Sequence, residues 1–410
     1  MDLNIAKPLT LKCGLVLPNR LTKAALAETM ADARGLPTSK LDTVYKEWAD
    51  GGWGMLLTGN VQVDADHLGS AGDNFVDASI EADLVASWTR FANACKAHKT
   101  PVVMQISHPG RQSPLGAGRR SVCAKTLAPS PVPINLGDGL LARSAVGLLF
   151  GTPREMTEED VRHVVNQFTT TARLAAESGF DGVELHAAHG YLLSTFLTAK
   201  SNQRTDQYGG SPRNRARIVV EIVDSIRKVV PKSFCVGVKL NSADLQSTEE
   251  LKESIEQIRY IEEAGVDFLE ISGGSYEDPR MMGTGEDAQK PSSRTAAREA
   301  LFLDFAKAIR SHFPKLPLMV TGGFRTRAGM DAAVSDSACD LVGIGRPAVL
   351  QPKLPKEIIF NKGVADEDAR VLEKKVKPPY LAKLSGMKGV GAGAVTVWYA
   401  GELRKLGQAH

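Results

Sequence analysis

"FDGVELHAAHGYLLSTF" (180–196) decides how the rest of the chain is read. Its opening is a short apolar run that follows Gly179, the pattern of a strand buried on both faces. His186 and His189 follow three residues apart, with Tyr191 two further on, so these polar groups sit where the strand ends.

Seven more runs of the same kind lie outward from it: "RLTKAALA" (20–27), "WGMLLTGNV" (53–61), "PVVMQIS" (101–107), "FCVGVKLNS" (234–242), "VDFLEISGG" (266–274), "PLMVTGGF" (317–324) and "CDLVGIGR" (339–346). Helical patterns separate most of them. Thr157 with Asp160 and Ser247 with Glu250 form capping boxes, Ser211-Pro212 is an N-cap followed by proline, and Gly179 and Gly265 stop helices just before strands. Eight buried strands alternating with helices predict an α/β fold with parallel strands, and eight is the number that closes a single TIM (β/α)8 barrel. An open doubly wound sheet is the rival. The expected organisation is a barrel over 1–350, a lid or hairpin insertion at 111–156 after strand three, and a C-terminal helical extension or tail at 351–410 packing on the barrel.

With 50 basic and 47 acidic side chains the 410-residue chain carries a formal charge of only +3, too little to recruit nucleic acid or an anionic membrane surface. The five cysteines show no C-x-x-C spacing, the N-terminus lacks a secretory pattern, and no apolar stretch approaches a membrane span. These features predict a cytoplasmic protein whose partner is a small molecule, and they leave room for a homo-oligomer.

Barrel chemistry sits at the carboxyl ends of the strands, and those ends are polar here: Asn60, Gln105, His108, His186, His189, Lys239, Asn241, Ser272 and Arg346. The glycines of "VTGGFR" (320–325) and "VGIGRP" (342–347) close the last two strands, where barrels often hold phosphate on open backbone N–H groups. Arg346 adds a fixed cation. A metal site at His186 and His189 would want a third ligand, and the spacing is not the helical one of zinc proteases, so no metal is assigned. Histidines at a strand end also bond backbone carbonyls and nothing more. The reading favoured for the pair, with Tyr191 beside it, is two donors aimed at a substrate oxygen and a phenol that delivers a proton.

The stretch from His186 to Arg227, "HAAHGYLLSTFLTAKSNQRTDQYGGSPRNRARIVVEIVDSIR", resembles the signature of the Old Yellow Enzyme family of flavin-dependent ene-reductases, the NADH:flavin oxidoreductase group. The likeness extends to "LPNRLTKAALA" (17–27), "MQISHPGRQ" (104–112), "APSPVP" (128–133), "TPREMTEEDV" (152–161) and "LVGIGRP" (341–347). It implies a TIM barrel holding FMN non-covalently, reduced by NADPH or NADH and passing hydride to an electron-poor alkene such as an α,β-unsaturated carbonyl. Carried over residue by residue, it puts Gln105 and Lys239 on the pyrimidine side of the flavin. Ala24, Ala25, Leu26, Ala27 and Gly59 would line its other edges, and Gly322, Gly323, Gly345 and Arg346 would hold the phosphate. His186 and His189 would bind the substrate oxygen while Tyr191 protonates the carbon α to it. Arg204, Asp206, Tyr208 and Arg215 are expected to fix the loop after strand four, and the insertion to order Arg111.

The chain departs from the family pattern at Ala25, at Ala27, which removes a side-chain donor to flavin O4, and at Lys239, where Arg is more frequent. A more negative flavin potential is expected from the first loss. Two alternatives stand beside the ene-reductase: an FMN-binding protein with a decayed site or a scaffold role in a pathway, and a dienoyl-CoA reductase-like enzyme.

Overall fold

The computed structural model of the chain describes residues 2–96, 98–242, 248–277, 291–374, 376–377 and 390–408. Eight parallel strands form a closed ring: β1 (Leu21–Lys23), β2 (Met55–Leu57), β3 (Val102–Ser107), β4 (Gly182–Ala187), β5 (Cys235–Asn241), β6 (Phe268–Ser272), β7 (Leu318–Thr321) and β8 (Leu341–Ile344). Each pairs with its neighbours in sequence, and β8 returns to β1 with Val342 opposite Leu21, so the sheet has no free edge in the ring. This is a TIM barrel. The strands are shorter than the apolar runs because the last residues of each run leave the ladder to build the rim.

Main helices of the structure are α1 (Ser39–Asp50), α2 (Glu81–Cys95), α3 (Leu140–Leu149), α4 (Glu158–Glu177), α5 (Leu192–Leu197), α6 (Pro212–Val229), α7 (Thr248–Glu263), α8 (Pro291–His312), α9 (Arg327–Ser335), α10 (Pro347–Leu350) and α11 (Val390–Leu406). The Thr157/Asp160 capping box at α4 is complete, and Ser211 accepts from Asn214 N–H at the start of α6 with Pro212 at its first position. Gly179 and Gly265 adopt φ of +86° and +93°, the left-handed turn that ends a helix cheaply only for glycine. Ser247 lies outside the described residues.

A small antiparallel pair, Leu9–Thr10 with Val16–Leu17, plugs one end of the barrel. Leu11 and Leu17 cluster there with Met55, Val103, Cys235, Phe268, Met319 and Leu341, all at or next to strand starts. The amino-terminal end is therefore filled with hydrocarbon, and chemistry is left to the opposite rim.

The segment after β3 is not a hairpin. Leu127–Ala128 and Arg154–Glu155 pair in parallel, with α3 lying between them in sequence. A parallel pair needs a crossover connection rather than a tight turn, and the helix supplies it. The tail runs back along the rim. Residues 369–371 bond to the backbone of Arg325 and Arg327, and α11 packs against α1 and α10.

Candidate active site

The floor of the cleft is a buried polar layer. Gln105 on β3 donates to Glu184 Oε2 on β4 at 2.6 Å, while Lys239 Nζ on β5 lies 2.7 Å from Glu270 Oε1 on β6. All four side chains are almost fully enclosed. Burial first, then the neighbouring Glu270, push the Glu184 carboxyl well above its usual range. Neither carboxylate was anticipated from sequence, whereas Gln105 and Lys239 were.

Ala24 to Ala27 leave β1 as irregular rim backbone, and a second buried network fixes them. Lys23 Nζ donates to Leu57 O (2.8 Å) and to Tyr45 Oη (3.0 Å), and Glu28 Oε1 accepts from Gly59 N–H at 3.0 Å and from Tyr45 Oη–H. Burial, partly opposed by Glu28, pulls Lys23 down to about 8. Gly59 must be glycine, because a Cβ there would meet Leu26 O at 2.4 Å. The rim after β1 and the rim after β2 are thus locked together.

His186, His189 and Tyr191 gather above β4. The ring centroids of His186 lie 5.0 Å from His189 and 4.7 Å from Tyr191. His186 Nδ1 accepts from Ala188 N–H at 3.3 Å, which leaves the imidazole proton on Nε2 as a donor. His189 Nε2 is 3.2 Å from Ser272 Oγ, and the backbone at His189 has φ of +60°, a strained turn held by Asn241 and Gln112. Burial and then the charges nearby, Lys239 among them, hold both histidines below their ordinary value, His189 down to about 3. They are neutral at working pH. Tyr191 Oη lies 3.4 Å from Asn60 Nδ2 and donates to Tyr276; burial and Tyr276 push it well above the ordinary phenol range, so it keeps its proton.

Gly322 and Gly323, at φ of +113° and +91°, turn the chain after β7, and Gly345 and Arg346 follow β8. Arg346 Nη2 meets Glu373 Oε1 at 3.1 Å, and Arg325 Nη2 meets Glu373 Oε2 at 2.5 Å. Sequence reasoning found Arg346 but neither Arg325 nor this carboxylate. Arg111 bonds to the carbonyls of Val132 and Pro133 and to Glu277 at 2.6 Å, beside a cavity of about 590 Å³ that Gly190, Asn241 and Ser275 help to line and that His186, His189, Tyr191, Gln105 and Lys239 do not. Arg204 and the Tyr208 N–H both bond to Asp206, Tyr208 donates to Glu221, Arg204 reaches the carbonyl of Pro129, and Arg215 bonds separately to Glu253 and to the carbonyl of Leu197, tying the segment after α5 together.

Asp64, His67 and His108 also cluster, with Asp64 Oδ2 2.6 Å from His67 Nδ1 and 3.4 Å from His108 Nε2. His108 Nδ1 accepts from Gly110 N–H, so its proton sits on Nε2 facing Asp64, the tautomer that cannot ligate a metal there.

The family profile described as NADH:flavin oxidoreductase / NADH oxidase matches residues 4–366. The chain belongs to this family. Its relatives include the NADH-dependent flavin oxidoreductase iliE of Neonectria sp. (strain DH2), 52% identical over 95% of this chain, and iccE of Talaromyces variabilis, 49% identical over 99% of this chain. The chain spans about half (52%) of the Neonectria protein's length but 98% of the Talaromyces one. Among solved structures, morphinone reductase superposes with a TM-score of 0.71 at 24% identity over 92% of each chain. A 2-naphthoyl-CoA reductase complex gives 0.77 at 23% identity over 98% of this chain and 58% of its own. At such identities these two speak to the fold alone.

As a member of the NADH:flavin oxidoreductase family, the chain is an NAD(P)H-dependent flavin enzyme that uses FMN. The donor set fits that cofactor. Two arginines and a glycine turn suit a phosphate, the amide of Gln105 and the ammonium of Lys239 suit the polar pyrimidine edge, and the small side chains of Ala24, Ala25 and Ala27 leave the rim backbone open to a flat ring.

Proposed function

We propose that this flavoenzyme reduces the activated C=C bond of an α,β-unsaturated carbonyl or a comparable electron-poor alkene, with NADH as the preferred reductant. The observation that carries the reading is the trio over β4: two imidazoles kept neutral and a phenol kept protonated, with the His186 ring centroid 5.0 Å from His189 and 4.7 Å from Tyr191. The reductant is drawn from the relatives at 49–52% identity, both named NADH-dependent.

Gln105, Lys239, Ala24 to Ala27, Gly59, Gly322, Gly323, Gly345 and Arg346 would hold FMN, which when bound supplies the hydride taken from NADH. His186 Nε2–H and the His189 ring would grip the substrate oxygen and meet the negative charge that develops there, an arrangement worth roughly 2.7–4 kcal/mol per donor in comparable sites. Tyr191 holds the proton that the α-carbon receives, and Asn60 and Tyr276 orient its hydroxyl. Arg111 and Glu277 would close over the substrate and limit water.

The test is anaerobic stopped flow. Protein reduced by NADH is mixed with enones, maleimides and nitroalkenes, and flavin absorbance should return only with acceptors of this class. Reoxidation by molecular oxygen alone, with every alkene inert, would remove the reading.

A further inference from the structure

Arg325 and Arg346 follow the adjacent strands β7 and β8, and a single carboxylate from the tail joins them. Glu373 is held in place from both sides. Val371 N–H donates to Arg325 O at 3.0 Å, Arg327 N–H to Ala369 O at 2.9 Å, and Leu372 N–H to Gln351 Oε1 at 2.6 Å. On the far side Lys374 N–H donates to Tyr399 Oη at 3.0 Å, and Tyr399 is only 3% exposed. The buried end of α11 therefore anchors the backbone that presents Glu373. A carboxylate gripped by two guanidiniums beside a glycine turn has the same recognition chemistry as a phosphate, namely an anion accepting several charge-assisted N–H bonds.

We infer that Glu373 is a built-in competitor for the phosphate of FMN, delivered by the C-terminal tail. It neutralises a pair of like charges that would repel each other in the flavin-free chain, and it opposes the incoming phosphate by like-charge repulsion. Cofactor loading then requires the carboxylate to share or yield the arginines, so the tail sets how tightly FMN is retained. This inference rests on the placement of the FMN phosphate at Gly322, Gly323, Gly345 and Arg346 proposed above.

The experiment titrates the flavin-stripped full chain by quenching of flavin fluorescence, with FMN and with riboflavin, which lacks the phosphate. Glu373→Gln keeps the shape and removes the charge. FMN should bind roughly three- to ten-fold more tightly to it, in line with loss of one opposing charge at a partly exposed site, with a steeper dependence on salt and no change for riboflavin. Tyr399→Phe, which frees the anchor without touching the arginines, should shift FMN affinity in the same direction by a smaller factor. Unchanged or weaker FMN binding in both variants overturns the competitor role. A wild-type chain that binds FMN no more tightly than riboflavin overturns the phosphate placement itself, and the inference falls with it.

Discussion

Neutral histidines carry the proposed chemistry at the scale of single residues. Their pKa values lie below the unfolded value of about 6.5, so the folded chain refuses protons that the unfolded chain accepts. Stability is therefore lost as the pH falls through about 6.5, and for His189 the loss continues down to about 3. Urea unfolding at pH 7 and pH 4.5 should show this fall in the wild type and a smaller one in His189→Gln; equal falls would remove His189 from the explanation. Tyr191→Phe should slow alkene reduction by roughly 10²- to 10⁴-fold, the usual contribution of a placed general acid, and leave flavin reduction by NADH untouched. Stopped flow separates the two half-reactions. Glu270→Gln releases Lys239 from its counter-ion, so the flavin midpoint potential, read by spectroelectrochemistry, should become more positive; Ala27→Thr should raise it as well by restoring a donor. His186, His189, Gln105 and Lys239 were read in sequence as polar residues near the ends of apolar runs. Glu184 and Glu270, which lie level with Gln105 and Lys239 in the sheet register, were passed over as part of their runs, because the strand pairing that sets each beside its partner is not encoded locally.

Helices and loops owe much of their placement to single polar contacts, which is why so many of their boundaries could be read in advance. The box at the start of α4 bonds Thr157 and Asp160 reciprocally, and Arg154 adds a two-pronged bond to Asp160. Thr157→Ala should cost about 1 kcal/mol in denaturant unfolding, the common loss for a threonine cap. Arg327 has a larger role. Buried at the start of α9, it donates to the carbonyls of Ile358, Ile359, Asn361 and Val364 and pairs with Asp366 at 2.8 Å. Arg327→Met should loosen the segment 358–366 and lower the thermal midpoint by several degrees, because five acceptors lose a buried partner. The insertion after β3 was harder to read. Its proline and glycine content announced a long connection, but the parallel pairing of Leu127–Ala128 with Arg154–Glu155 depends on contacts that no local pattern encodes. Glu373 lies in the same class: its partners are 27 and 48 residues away in sequence, and nothing around it looks like a binding motif.

The whole molecule is legible for a simple reason. Eight strands buried on both faces must each be nearly continuous in apolar character, and all eight runs found in the sequence became strands of the ring. Closure was the step left open, since an open sheet would share the same alternation of strands and helices. Because the ring brings the two ends of the series together at the proposed FMN site, FMN should stabilise the entire fold by mass action: saturating FMN should raise the thermal midpoint, and riboflavin should raise it less. Pairing of Leu21 with Val342 also bears on how the protein is made. The first strand leaves the ribosome more than three hundred residues ahead of its partner, and through that interval its unpaired backbone is a site where another nascent chain could dock. Synthesis that stalls before β8 emerges would leave a sheet with two raw margins, so the cell has reason to shelter this polypeptide until translation is nearly done.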